Sequence, residues 1–196
     1  MGAAQAAERP LRSDAARNRE RVLAAASELF AQRGMSVGVP AVAQRAGVGK
    51  GTVYRSYPTK ERLIAAVLER RMAWFERRVE QAASSDDPGA AFFELVGETA
   101  EMQAGDRAIA DALALKACLP ELLGALDAVR AALDRLVVRA QNKGAIRTDV
   151  TGHEVRMLLN GVTQVLADAG EHDPQVWRRY MSLVADGLRA GASRAE

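Results

Sequence analysis

Two short helix-forming stretches, about Val39 to Ala46 and Lys50 to Tyr57, flank the tetrapeptide Ala46-Gly47-Val48-Gly49. Helices of about eight residues do not hold together alone in water, so any fold built from this chain must pack both against a third element. Gly47 can take the left-handed conformation that a tight turn between them needs. Pro40 is acceptable in the first turn of one helix, and Pro58 breaks the other. Val42, Ala43, Ala46, Val48 and Val53 would then form a small core that fixes the interhelical angle. The second helix is left to present Lys50, Thr52, Tyr54, Arg55 and Ser56 outward, all able to donate hydrogen bonds to phosphate or base edges. Its N-terminus adds free N–H groups and a positive dipole end. That combination is suited to reading a major groove.

The rest of the chain is helical in pattern. Alanine and leucine dominate, apolar residues recur at three- and four-residue spacing, and no period-two strand stands out. The spacing predicts a first helix from an N-cap near Ser13 to Gly34, preceded by a disordered tail over 1–13. Thr59 should cap a long helix reaching about Ala83. Helices follow near 88–104, 106–116 and 120–142. Thr151-Gly152-His153-Glu154 has capping-box spacing and opens the next one, and Asp173-Pro174 opens the last. The expected architecture is all-α, with about nine helices. The helix-turn-helix lies at about 38–57 inside a 14–60 head, and 61–196 forms a helical body.

Charge divides the chain in the same place. The net charge is only +2, yet residues 1–60 hold ten basic side chains against four acidic ones, and the remainder holds seventeen against twenty-one. A basic head on a mildly acidic body points to a polyanion partner at one end. At 48% hydrophobic and 27% charged residues the composition is that of a globular protein rather than a disordered one. A single cysteine, Cys118, forms no internal disulfide, no apolar run approaches a membrane span, and Met1 to Ser13 lacks the apolar core of a secretory signal. The expected location is the cytoplasm, away from the membrane.

The block from Ala43 to Leu63, Ala-Gln-Arg-Ala-Gly-Val-Gly-Lys-Gly-Thr-Val-Tyr-Arg-Ser-Tyr-Pro-Thr-Lys-Glu-Arg-Leu, resembles the DNA-binding signature of TetR-family transcriptional regulators. The likeness covers about residues 15–65. The helix pattern beyond it is similar to that family's effector-binding and dimerisation domain in topology. The resemblance implies phosphate anchoring by Lys50, Thr52, Tyr54 and Lys60, with backbone support around Gly51. It implies base contacts from Arg55 and Ser56, and Arg55 suits the O6 and N7 of guanine. Arg45 is a further candidate contact, with solvation of a surface arginine as the alternative. Tyr57, where the family usually has phenylalanine, should be core. Gly38-Val39-Pro40 stands where Thr or Ser is usual, so a phosphate contact from that helix end must rely on backbone alone.

Met72, Phe75, Phe92, Phe93, Met102, Leu113 and Met157 are apolar candidates for an effector cavity, with Asn160 and Gln164 to orient a ligand. Each apolar residue also suits ordinary core. Val155, Leu159, Val162, Leu166, Trp177, Tyr180, Val184 and Leu188 are candidates for a four-helix homodimer interface, with Gly161 permitting close approach.

Rival chemistries find little support in the residues. Gly49-Lys50-Gly51-Thr52 is no P-loop, because Gln44 replaces the leading Gly, Gly51 stands where Ser or Thr must follow the Lys, and no strand precedes it. His153, His172 and Cys118 form no metal-spacing cluster, and Glu94, Glu98 and Glu101 fit a solvated helix face. Arg9 and Arg12 suit either a disordered tail or a minor-groove arm. No catalytic, metal or cofactor site is implied. The sequence therefore predicts a DNA-binding regulator, a homodimeric repressor released from a palindromic operator by a small apolar ligand. An effector-free DNA-organising dimer and an α-helical enzyme are the alternatives.

Overall fold

The computed structural model describes residues 3–106 and 121–191. Eight helices account for nearly all of them: α1 Ala3–Arg33, α2 Val39–Ala46, α3 Lys50–Ser56, α4 Lys60–Ser84, α5 Pro88–Ala104, α6 Glu121–Asn142, α7 Gly152–Asp168 and α8 Pro174–Leu188. Among the described residues there is no strand, only one isolated bridge between Ile146 and Arg189. The helix expected near 106–116, with Leu113 and Cys118 in or beside it, lies outside the described residues.

Local chemistry explains most helix ends. Thr59 accepts from the Arg62 N–H at 3.2 Å at the start of α4, and Asp87 accepts from the Ala90 N–H at 2.9 Å at the start of α5. The Thr151 hydroxyl accepts from the Glu154 N–H at 3.2 Å, and the Glu154 carboxylate accepts the Thr151 N–H at 2.7 Å. One departure is at the N-terminus. The segment expected to be a disordered tail has a helical backbone from Ala3, continuous with α1.

Two cores organise the molecule. The first gathers Val22, Ala26 and Phe30 of α1, Val42 and Ala46 of α2, Val53 of α3, Tyr57, and Leu63, Val67 and Leu68 of α4. The second gathers Val79 of α4, Phe92 and Leu95 of α5, Leu136 and Val137 of α6, Val155 and Leu166 of α7, and Trp177, Met181 and Leu188 of α8. Fully burying side chains of this kind stabilises by about 1.5–3 kcal/mol each. α4 serves both cores, with its N-terminal half in the head and its C-terminal half in the body. At 25 residues it is about 37 Å long. Packing in the body is close where α5 meets the α6–α7 connection. A Cβ on Gly89 would lie 2.3 Å from that of Ala145, so only glycine fits there.

Burial corrects most of the residues expected at a dimer surface. Val155, Leu166, Trp177 and Leu188 are buried in the protomer's own core, and Leu159, Val162 and Val184 pack against it. The Trp177 indole is also satisfied internally, donating to the Glu171 carbonyl at 3.0 Å. Only Tyr180 of that set is exposed. The apolar side chains that α7 and α8 leave in solvent are Met157, Leu158, Val165, Tyr180 and Leu183, each about half exposed or more. Both helices are thus apolar on two sides, and the inward side belongs to the protomer.

The capping box makes a pH-dependent contribution. Its backbone and hydroxyl hydrogen bonds hold the Glu154 carboxyl below the ordinary range. A lowered value in the folded state means that the stabilisation is present above the unfolded value near 4.3 and is lost as pH falls through the folded one. Glu154→Ala should therefore lower the melting temperature at pH 7, and the difference from the parent should vanish in strong acid. Melting curves from pH 2.5 to 7 check this.

Candidate nucleic-acid interface

α3 is anchored by two residues and leaves the rest of its surface open. Val53 and Tyr57 are buried, Lys50, Gly51, Tyr54 and Arg55 are exposed, and Thr52 and Ser56 are half-buried. The 2–3 turn is made by Gly47 at φ +64°, a region closed to most L-residues. Its N–H donates to the Gln44 carbonyl at 3.1 Å and that of Val48 to the Ala43 carbonyl at 3.0 Å, which satisfies the end of α2.

The start of α3 carries no side-chain cap: Gly49 is extended and its first bonded amide is that of Thr52. The N–H groups at Lys50 and Gly51 are left pointing out along the helix axis, with the positive dipole end behind them. A Cβ built on Gly51 meets nothing within 4 Å, so a phosphate backbone can approach closely. α2 likewise starts at Gly38 with no side-chain cap, and the half-exposed Lys60 opens α4 on the far side of α3.

The arginines of this head divide into two groups. Arg55 points out from α3 and donates from Nε only to the Gly51 carbonyl of its own helix, at 3.2 Å. Lys50 and Lys60 have no ion-pair partner among the described residues. Arg45, a candidate contact, is instead held by Glu28 of α1 at 2.6 Å, which raises its pKa further through the hydrogen bond and the adjacent charge. To reach DNA it would have to leave that carboxylate.

Sequence reasoning missed Arg19 and Arg21 as parts of the site. Arg19 donates to the Ser56 carbonyl at 2.6 Å, closing the C-terminus of α3, and its guanidinium stacks 4.4 Å from the centre of the Tyr57 ring. Arg21 donates to the Gly47 carbonyl at 3.2 Å in the turn. Both act as clamps between α1 and the two short helices. The only sequence signal is that the two flank Val22, on opposite sides of the row that α1 buries. Burial pushes the Tyr57 phenol up, and its hydroxyl has no hydrogen-bond partner among the described residues. Tyr57 is core, as its place in the motif suggests.

In the body a cavity of about 430 Å³ opens between α4, α5, α6 and α7. Of the residues named for an effector cavity, Met72, Phe75, Phe92, Met102 and Asn160 line it. Phe93 does not; it packs edge-on against Phe92 at 5.3 Å with Arg189 over its ring. Met157 points to solvent, and Gln164 turns to Asp168 at 2.7 Å. Polar residues that the sequence did not single out reach the wall, among them Arg71, Gln103 and Asp106. No cluster of metal-binding side chains exists among the described residues, and none of their helices is long and apolar enough to cross a membrane.

A clamped reading helix with a basic, donor-rich face, joined by one continuous helix to a body with an apolar cavity, defines a helix-turn-helix transcriptional regulator. The comparisons place it further. Residues 22–67 match bacterial regulatory proteins of the tetR family, and residues 87–190 match the C-terminal domain of SbtR-like transcriptional regulators. A TetR transcription regulatory protein from Mycobacterium vanbaalenii is 36% identical, with a TM-score of 0.69 over 92% of this chain and 99% of that one. A TetR transcriptional regulator from Streptomyces coelicolor is 28% identical, with a TM-score of 0.68 over 89% and 99%. The HTH-type transcriptional regulator UidR of Escherichia coli is 29% identical over 92% of this chain and 93% of its own length. The chain belongs to the TetR family and is a DNA-binding transcriptional regulator.

Removing a clamp should loosen α3 without touching its outward face. Arg19→Ala is expected to cost about 1 kcal/mol of stability and to weaken operator binding. Arg33→Ala removes the same charge from the end of α1 and should change neither by a comparable amount. Chemical denaturation and fluorescence anisotropy with labelled operator measure both.

Proposed function

We propose that the protein is a homodimeric repressor that leaves a palindromic operator when a small, largely apolar ligand enters the cavity of the body. The observation that carries this reading is α4: one uninterrupted helix begins with Lys60 beside the reading helix and carries Met72 and Phe75 into the cavity wall. A ligand that reshapes the wall therefore moves the end that sets the position of α3. To release DNA strongly it must favour the non-binding arrangement by several kcal/mol, because equal binding to both shifts nothing. An effector-free DNA-organising dimer would have no use for a 430 Å³ apolar cavity. Such a regulator works where the DNA is, in the cytoplasm.

On DNA, Arg55 and Ser56 read base edges in the major groove, while Lys50, Thr52, Tyr54, Lys60 and the Gly51 amide hold phosphates. Arg45 is better assigned to bracing α2 on α1 through Glu28. Arg55→Ala should cost about 1–3 kcal/mol on the operator and little on random DNA. Lys60→Ala should weaken both alike and reduce the salt slope by about one. Equal losses for Arg55→Ala on both DNAs would remove Arg55 from base readout.

Two protomers meet, in this reading, through the outward faces of α7 and α8. Leu158, Gly161 and Val165 fall at three- and four-residue spacing on one, and Tyr180 and Leu183 on the other, all of them exposed. Pairing across a two-fold axis covers this face and sets the distance between heads. Val165→Glu should give monomers by sedimentation equilibrium and lower operator affinity at least tenfold, with the protomer's helicity unchanged. A dimer that persists with full affinity places the interface elsewhere.

A further inference from the structure

We infer that the cavity takes an uncharged, mainly apolar molecule carrying one hydroxyl-like group, which is received by Arg71 and Gln103 at the corner where α1, α4 and α5 meet. The inference rests on the reading of the cavity as the effector site, and it names the chemistry that site selects.

Charge is the first argument. Four arginines contribute to the wall: Arg70, Arg71, Arg130 and Arg156. A positive wall of that size would suit an organic anion if the cations were unbalanced, and they are not. Arg70 pairs with Glu20 at 2.5 Å, Arg71 with Asp106 at 2.7 Å, Arg130 with Asp127 at 2.8 Å, and Arg156 with Asp134. A ligand carboxylate would therefore meet guanidinium groups whose charge is already balanced. At Arg71 it would also lie close to Asp106, a second carboxylate, in a largely buried corner. Each of the four cations already has a counter-ion, so the wall offers an anion no net positive charge.

The second argument is polar satisfaction. Two buried polar atoms of wall residues have no hydrogen-bond partner among the described residues: the Arg71 Nη1 donor and the Gln103 Oε1 acceptor. They belong to one corner. Asp106, which holds Arg71, lies one turn beyond Gln103 and donates its N–H to the Gln103 carbonyl at 3.2 Å. Buried polar groups left unmet are costly, and a ligand that meets both gains where an apolar one does not. A hydroxyl that reaches this corner can meet both, accepting from Nη1 and donating to Oε1. The Gln103 oxygen is buried, and because the terminal torsion of a glutamine is soft, rotation can turn it toward a ligand. Around this corner the wall is apolar, with Met72, Phe75, Leu95 and Val96 available to the body of the ligand.

The same corner touches the DNA-binding head. Arg71 also donates to the Ser27 carbonyl of α1, at 3.4 Å, so a ligand that engages Arg71 acts on the contact between head and body.

Trp74 lines the cavity and supplies a binding signal independent of DNA. Full-length protein is titrated at pH 8 with decan-1-ol, decanoate and decyl methyl ether, following Trp74 emission, with Trp74→Phe as the blank. Decan-1-ol should bind roughly tenfold more tightly than either of the others, although the ether is the more apolar and also accepts hydrogen bonds. Gln103→Met, which keeps the side-chain volume, should abolish the advantage of the alcohol over the ether. If that variant does not fold, the alcohol-to-ether ratio in the parent protein decides alone. Decanoate binding as tightly as the alcohol, an ether equal to the alcohol, an unchanged ratio in Gln103→Met, or no saturable signal from any probe overturns the inference. Operator release is read separately by anisotropy: selective alcohol binding without release sinks the repressor reading and leaves the ligand chemistry standing.

Discussion

The seating of α3 is the constraint on which the rest of the molecule depends. Seven residues supply too few internal hydrogen bonds to hold a helix, so its geometry is borrowed from its neighbours. Val53 and Tyr57 enter the core of the head, Gly47 sets the turn at a positive φ, and Arg19 and Arg21 reach from α1 to the carbonyls at the two ends of the unit. These fixings leave one surface of the helix free. A side chain that reads bases must arrive at a defined distance and angle, and that precision comes from parts that never touch DNA.

α4 extends the same constraint into the body. Among the described helices it alone gives buried side chains to both cores, Leu63, Ile64, Val67 and Leu68 to one and Val79, Ala82 and Ala83 to the other. The stretch between them, including Arg70, Arg71, Met72, Trp74 and Phe75, forms cavity wall. A rigid rod shared by two packed regions cannot tilt in one without moving in the other. The cavity therefore sits where a small volume change has the largest mechanical consequence. The Arg71 and Arg70 contacts with α1 add a second, polar tie across the same joint.

How much of this was legible in the sequence depends on whether the signal was local. The bounds of α2, α3, α4 and α7 follow from Pro40, Gly47, Pro58, Thr59 and the Thr151–Glu154 box, each acting within one turn, and those ends fall where the residues put them. The direction of an apolar face is a tertiary property. On α7 the inward set runs Val155, Leu159, Val162, Leu166 and the outward set Leu158, Gly161, Val165, displaced by a single position. Both rows have helical spacing, so periodicity alone does not say which one the protomer keeps. The same ambiguity put Trp177 and Leu188 at a surface, when they are core. Arg19 escaped notice for a related reason, since a basic residue on a basic helix looks like general charge until Ser56 is found opposite it.

The overall positive charge of the head then acquires a more specific meaning. Of its basic residues, Arg19, Arg21 and Arg45 are engaged within the protein, by two carbonyls and one carboxylate. Among the described residues Lys50 and Lys60 have no such partner, and with Arg55 between them they sit along α3 and at its exit. Long-range attraction needs only the sum of the charges, but a docked geometry needs donors whose hydrogen bonds are still available. By separating the two groups, the fold turns a diffuse excess of positive charge into a short row of available donors. That row has the length of a single short helix, so what one head can read is limited to a few base pairs. Two heads at a fixed spacing are the direct way to lengthen the site, and this connects the exposed apolar face of α7 and α8 to the chemistry of α3.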